Sequence, residues 1–396
     1  MDSINNPFSP NAGSMPPELV GRDGVLEDAR ILLARTQLRR SAQSLLMTGL
    51  RGVGKTVILN EIVRLAEREG LAVPIYMEAT EERRFGEMLA LSLRMALLKL
   101  NRLEGAKDKV IKGLSALRNF MGTIKIGFGD IDIALEPLRG VADSGDMQFD
   151  LISLFTAVAE AAADKGKAIV LLIDELQYLD EEELGALVMA LHRMQQLQLP
   201  LVMVGAGLPV IAKLVGEAKS YAERLFKYPR IGALTDADCR VAISRPFADV
   251  GIRMEEDAIA RICEETRGYP YFIQEWGSQL WNFIEREPIT VDDVGKVRDV
   301  VLYSLDLNFF QIRMERVTAA EREFIQAMAA VTSDDGQCGI AAVARALNVA
   351  QSAIAQRRAS LIRKGMIYSP AHGELAFTVP LFPDFVKRNE ANVNGM

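Results

Sequence analysis

One stretch, GLRGVGKT from Gly49 to Thr56, constrains the fold of this chain more than any other. It satisfies G-x-x-x-x-G-K-[ST] and lies between a short apolar run, SLLMTG (44–49), and a segment of helical periodicity, VGKTVILNEIVRLAEREG. In that segment Val57, Ile58, Ile62, Val63 and Leu65 are apolar. A loop of this kind needs a strand before it and a helix after it. Its glycines let the backbone curl so that successive N–H groups face phosphate oxygens, and the helix N-terminus adds its dipole. Gly49, Arg51, Gly52, Val53, Gly54 and Val57 are the expected backbone lining. Lys55 is placed to neutralise β- and γ-phosphates, and the Thr56 hydroxyl to ligate Mg²⁺.

Further strand-like runs follow: AVPIYME (72–78), AIVLLID (168–174) and LPLVMVG (199–205), each separated by helical patterns. Near-continuous apolar strands with intervening helices imply an α/β fold, a parallel P-loop sheet covered on both faces. One interruption, GTIKIGFGDIDIALEP (122–137), alternates apolar and polar residues around Gly127 and Gly129 and reads as a β-hairpin. It is expected either to decorate the sheet as a solvated insertion or to meet a partner or DNA.

LLIDELQYLDEEE (171–183) places six carboxylates behind the third apolar run. Asp174 ends that run, where a P-loop requires a second carboxylate for Mg²⁺, and Glu175 follows as the group that polarises a water. Asp180 and Glu183 have the D-x-x-E spacing of a capping box, and Glu181 and Glu182 fill a first helical turn. Gln177 and Tyr178 lie between the two groups, open to contact with substrate or a neighbour.

The length of 396 residues suggests two or three domains. A net charge of −7 argues against coating nucleic acid with the whole surface and leaves room for a local basic site. Cys239, Cys263 and Cys338 form no ligand-spaced pair, and His192 and His372 are too scattered for zinc. With neither a signal-peptide pattern at the start nor an apolar stretch of the ~20 residues a membrane helix needs, a cytoplasmic chain with no membrane partner is expected.

Residues 1–17 read as a flexible arm, 18–231 as the α/β core, 232–315 as a helical lid rich in aromatics, and 316–390 as three helices with a β-hairpin, the outline of a winged helix. In AQSAIAQRRASLIRKG (350–365), Ile354, Leu361 and Ile362 fit a core-facing side. Ser352 and Gln356 are expected near base edges of duplex DNA, and Arg357, Arg358 and Lys364 at phosphates. Packing on the lid or binding a protein is the competing reading of that domain.

With these motifs in order, the chain resembles the AAA+ ATPases over roughly residues 19–388. It looks most like the bacterial and archaeal ATPases related to origin-recognition initiators and to the STAND signalling ATPases. ELVGRDGVLEDARILL (18–33) resembles the family's adenine-side segment, which implies base contacts at Val20, Gly21 and Arg22. AERLFKYPRIGALTDADCRVAI (222–243) resembles the segment that sends an arginine to a neighbour's γ-phosphate, with Arg224 the best match and Arg230 second. RGYPYFIQEWG (267–277) resembles a STAND-type motif, which implies Tyr269 and Pro270 in the adenine pocket. Gly205-Ala206-Gly207 departs from the family, which often has a γ-phosphate-sensing polar residue there. The resemblance implies ATP and ADP as ligands, Mg²⁺, nucleotide-dependent homo-oligomeric assembly and slow or assembly-dependent hydrolysis. The expected output is ATP-controlled DNA binding; a STAND-like switch acting on a protein partner is the alternative.

Overall fold

The apolar runs become strands because they can be buried along their whole length: every residue of Ser44–Thr48, Ala168–Asp174 and Leu201–Gly207 is buried. The structure, a computed structural model, describes residues 2–103, 107–124, 140–284, 287–333 and 336–394, the side chains of 390–394 excepted. These residues pack as two units. One comprises Arg22–Gly49 and Lys55–Ile231, the other Met1–Gly21, Leu50–Gly54 and Gly232–Met396.

In the first unit the chain runs α1 (Asp23–Gln37), β1 (Ser44–Thr48), α2 (Lys55–Arg68), β2 (Ala72–Glu78), α3 (Phe85–Asn101), α4 (Asp108–Thr123) and α5 (Met147–Asp164). It continues through β3 (Ala168–Asp174), α6 (Glu181–Gln196), β4 (Leu201–Gly207), α7 (Val210–Ala218), α8 (Ala222–Leu225) and β5 (Phe226–Lys227). All five strands pair in parallel in the order β2-β3-β4-β1-β5. The fourth strand begins and ends two residues later than its apolar run, expected at 199–205. Pro200 has no N–H to give a ladder, whereas Ala206 and Gly207 pair with Met47 and Thr48. Two-residue β5 is too short to leave a periodic signal. Of the expected hairpin, Gly122 and Thr123 close α4 and Ile124 caps it, and residues 125–137 lie outside the described residues.

The acidic run behind β3 divides as its spacing predicts. Asp180 accepts from Glu183 N (2.8 Å), and Glu183 Oε2 accepts in return from Asp180 N (3.3 Å). Glu183 does more than the capping box asks: its Oε1 accepts the Phe85 N–H at 2.8 Å, at the start of α3.

The second unit has two helical groups. The first is α9 (Asp236–Ala248), α10 (Glu256–Thr266), α11 (Pro270–Phe283) and α12 (Val291–Leu305), continued by a π-helical turn, Asp306–Gln311, into α13 (Ile312–Glu315). The other is α14 (Ala319–Val331), β6 (Gln337–Gly339), α15 (Ile340–Ala346), α16 (Ala355–Arg363), β7 (Ile367–Tyr368), β8 (Glu374–Phe377) and α17 (Phe382–Asn394), with an antiparallel sheet ordered β6-β8-β7. Buried Glu321 ties α14 to α16. It accepts from Ser360 Oγ (2.6 Å), Lys364 Nζ (2.7 Å) and Thr318 N (2.7 Å). Burial alone would push its carboxyl up, but these hydrogen bonds hold it down at about 2.

The segment expected as a loose arm, 1–17, is instead anchored on α9 and α11 through Asn6 and Phe8, because Phe8 offers a ring to bury. Phe8 is 4% exposed and lies 5.2 Å from the Phe247 ring, and Asn6 Nδ2 donates to Ser278 O (3.1 Å). Gly277 makes the room, since a Cβ there would fall 2.3 Å from Phe8 Cδ1.

Gly268, between α10 and α11, has φ +68°, and a Cβ there would sit 2.4 Å from the Leu234 carbonyl oxygen. Its own carbonyl accepts the Leu234 N–H (2.8 Å), so neither strand of backbone can retreat cheaply. Gly268→Ala is expected to cost more than about 2 kcal/mol through left-handed strain and overlap. Chemical denaturation checks this, and an unchanged unfolding midpoint would refute it.

Candidate functional site at the P-loop and the end of strand three

β1 stops at Thr48, and Gly49 N donates to Gly207 O (3.1 Å), which fixes the start of the loop to the end of β4. Gly52 and Gly54 take φ of +82° and +93°, left-handed values that bend the loop back on itself. Lys55 and Thr56 then open α2. Lys55 is 6% exposed, and its ammonium donates to Gly49 O at 3.0 Å.

Thr56 Oγ1 donates to Asp174 Oδ2 at 2.5 Å, so the hydroxyl of the loop and the carboxylate of β3 converge. Asp174 is 2% exposed. Burial raises its pKa, the Thr56 hydrogen bond opposes that rise, Glu175 adds to it, and Lys55 works against it. A buried carboxylate so placed gains from a nearby cation, and both converging groups are hard oxygen donors. The pair therefore fits Mg²⁺, which takes one or two protein oxygens and completes its shell with water and phosphate. Among the described residues no group of three His, Cys, Asp or Glu forms a metal cluster.

Past Asp174 the backbone turns sharply: Glu175 has φ 52° and ψ 39°, and its N–H donates to Asp174 Oδ1 (2.8 Å). The turn carries Glu175 out of the strand, half-buried, where adjacent strand residues would otherwise face opposite sides. A 3₁₀ turn, Leu176–Tyr178, follows. There the Gln177 amide donates to Glu175 Oε2, and its oxygen accepts the Leu208 N–H at 3.0 Å. Gln177 is the residue that motif reasoning undervalued. Its signal was the Gly205-Ala206-Gly207 run, a gap in β4 that a neighbouring side chain has to fill.

In the second unit, Tyr269 is 2% exposed and its phenol donates to the Arg51 carbonyl. The ring also lies over Gly52, whose Cβ would meet Tyr269 Cε1 at 3.0 Å. Burial raises the Tyr269 phenol above its usual range. Pro270 occupies the first turn of α11, where its missing N–H costs nothing. The Arg51 guanidinium reaches Gly365, φ +64°, where a Cβ would fall 2.7 Å from Nη2. Arg313 caps the Phe309 ring at 3.8 Å; burial first, then the Arg51 charge, lowers its pKa to about 10. On the amino-terminal side Val20 is half-buried, and Gly21, φ +69°, leaves room for Asp238 Oδ2, which a Cβ would meet at 2.7 Å. Arg22 is buried at the start of α1.

Arg224 is exposed on α8, before β5, and its carbonyl accepts from Gln43 Nε2 (2.9 Å). Arg230 is exposed just beyond β5, in a bridge with Thr48. Ser352 and Gln356 are exposed in and after the 3₁₀ turn that leads into α16, while Arg357 and Arg358 are half-buried and Arg357 lies 3.8 Å from Glu323. Lys364 corrects the expectation of a phosphate contact. Its ammonium is turned inward to Glu321 and to Arg316 O (3.0 Å), so it braces α16 instead of facing a ligand.

Residues 18–204 match a family model described as an AAA ATPase domain, and residues 307–386 match one described as a domain of unknown function (DUF8462). A search of curated proteins finds no match. Among solved structures, a Walker-type ATPase of Pyrococcus abyssi superposes with a TM-score of 0.55 at 15% identity, covering 94% of this chain and 97% of that one. This is a likeness of fold. Looser likenesses, both with a TM-score of 0.46, are a Thermotoga maritima RuvB mutant (16% identity, 91% and 93% covered) and the Aeropyrum pernix ORC1 protein in complex with DNA (12% identity, 96% of each).

Proposed function

We propose that this chain, which carries an AAA ATPase domain at residues 18–204 and the parallel P-loop fold of the AAA+ ATPases, hydrolyses ATP to ADP and phosphate and uses its nucleotide state to control binding to duplex DNA. The observation that carries the reading is the convergence of Lys55, Thr56, Asp174 and Glu175 at the loop and the end of β3. Lys55 exchanges the Gly49 carbonyl for phosphate oxygens. Thr56 and Asp174 would hold Mg²⁺, which would screen the phosphate charge. Glu175 takes the proton of a water whose oxygen adds to the γ-phosphorus as the bond to the β–γ bridging oxygen breaks, and the electron pair leaves with ADP.

Exposed Arg224 is suited to a neighbouring copy's γ-phosphate, which makes turnover dependent on assembly. Residues 316–390, read as a winged helix, supply Ser352, Gln356, Arg357 and Arg358 for DNA, with Lys364 withdrawn. No described helix is long and apolar enough to cross a membrane.

ATP hydrolysis measured with and without duplex DNA, and repeated with Arg224→Ala, tests both parts. DNA is expected to bind at low salt and to raise the rate, and the variant to lose about 10³-fold in kcat. Absence of binding even at low salt would remove DNA from the proposal, and normal turnover by the variant would remove the shared site. A protein-directed switch of the STAND kind is favoured by one observation, the Tyr269 phenol on the P-loop carbonyl of Arg51. It predicts nucleotide-dependent association with a protein and indifference to DNA.

A further inference from the structure

β4 ends Gly205-Ala206-Gly207, and the reason for its two glycines lies in the turn after Asp174. A Cβ on Gly205 would sit 2.3 Å from Leu176 Cδ1 and 3.0 Å from Leu46 Cδ1, and one on Gly207 would sit 2.9 Å from Gln177 Oε1. The two glycines are the space into which Leu176 and Gln177 fit. Leu176 is fully buried there, which anchors the turn. Gln177 is held at both ends of its carboxamide, with Oε1 on the Leu208 N–H and Nε2 on Glu175 Oε2. The partners dictate this orientation, because an N–H requires an acceptor and a carboxylate requires a donor. Glu175, in turn, sits in the left-handed region, where a non-glycine residue persists only if its surroundings hold it.

We infer that Gln177 is the positioning residue of the hydrolytic site. It aims the Glu175 carboxylate and does so from the volume that a polar side chain at the end of β4 would otherwise occupy. The inference rests on the ATPase reading above. One carboxylate oxygen of Glu175 is engaged by the amide, which sets the direction in which the other accepts a proton. The amide is neutral, so it orients Glu175 without neutralising it. Hydrolysis therefore depends on a contact that reports the position of Leu208, just past β4.

Three variants of the full chain separate the possibilities, with phosphate release giving kcat and a fluorescent ATP analogue giving affinity. Gln177→Ala is expected to lower kcat by about 10²-fold, the cost of a misaimed reacting group, with ATP affinity within about twofold of wild type. Gln177→Glu keeps the length but sets a second carboxylate against Glu175. The acceptor for the Leu208 N–H survives while the donor to Glu175 is lost, so kcat is expected to fall by at least about 10²-fold, again with ATP affinity within about twofold of wild type. A glutamine that only fills space or braces Leu208 would accept Glu in its place, so wild-type kcat in Gln177→Glu overturns the inference even if Gln177→Ala is slow or fails to fold. Undiminished turnover by Gln177→Ala also overturns it. Glu175→Gln serves as the control for the parent reading: turnover retained there removes Glu175 from the chemistry and the inference with it, whereas turnover absent from wild type with DNA present overturns the ATPase assignment itself.

Discussion

Glu175→Gln is expected to lower kcat for ATP by about 10³-fold while leaving ATP binding nearly unchanged. The substitution is isosteric, and the new carboxamide oxygen still accepts from the Gln177 amide, so the left-handed turn at Glu175 keeps its brace. What disappears is the acceptor for the proton of the attacking water. Lys55, Thr56 and Asp174 are untouched, so the loop still binds phosphates. Phosphate release under single-turnover conditions, alongside a binding titration, separates the two quantities. A variant within tenfold of wild-type turnover would remove Glu175 from the chemistry.

Lys55→Ala should show the opposite pattern, a loss that begins at binding. Lys55 is 6% exposed, and its ammonium rests on a neutral carbonyl, Gly49 O, at 3.0 Å. Phosphate oxygens are a stronger partner, because a charge-assisted hydrogen bond contributes about 1.5–3 kcal/mol and burial weakens competition from water. Removing the ammonium is therefore expected to weaken Mg·ATP binding by about 10- to 150-fold, with turnover falling below it. Folding is expected to survive, since the Gly49–Gly207 backbone hydrogen bond that fixes the loop to β4 is untouched. Titration calorimetry reads the affinity directly, and unchanged affinity in a folded variant would overturn the role given to Lys55.

Much of the nucleotide end was legible because its chemistry is local. Eight consecutive residues make the loop, and Asp174 is found by asking where a buried apolar run terminates. Burial of whole strands made β1 and β3 easy to place, part-buried β2 lies at its expected bounds, and wholly buried β4 was displaced by a proline that cannot donate. What escaped were arrangements made by distance in sequence. Phe8 packs against Phe247, 239 positions away, and the composition of the segment around it gave no hint of this anchor. Lys364 looked like a phosphate ligand until its partner, Glu321, came from another helix. Gln177 reads as an ordinary loop residue until β4 is placed beside it.

Gly205 also bears on how a chain of this design can change. A side chain cannot be placed at Gly205 without displacing Leu176, because the first carbon added meets the Leu176 methyl at 2.3 Å. Positions 176 and 205 share a single fixed volume, so their substitutions are expected to be epistatic. A bulkier residue at one is tolerated only when the other has already given up its own. A chain that acquired a small residue at 176 would lose the nearest obstacle to a side chain at 205, with Leu46 Cδ1 at 3.0 Å the next.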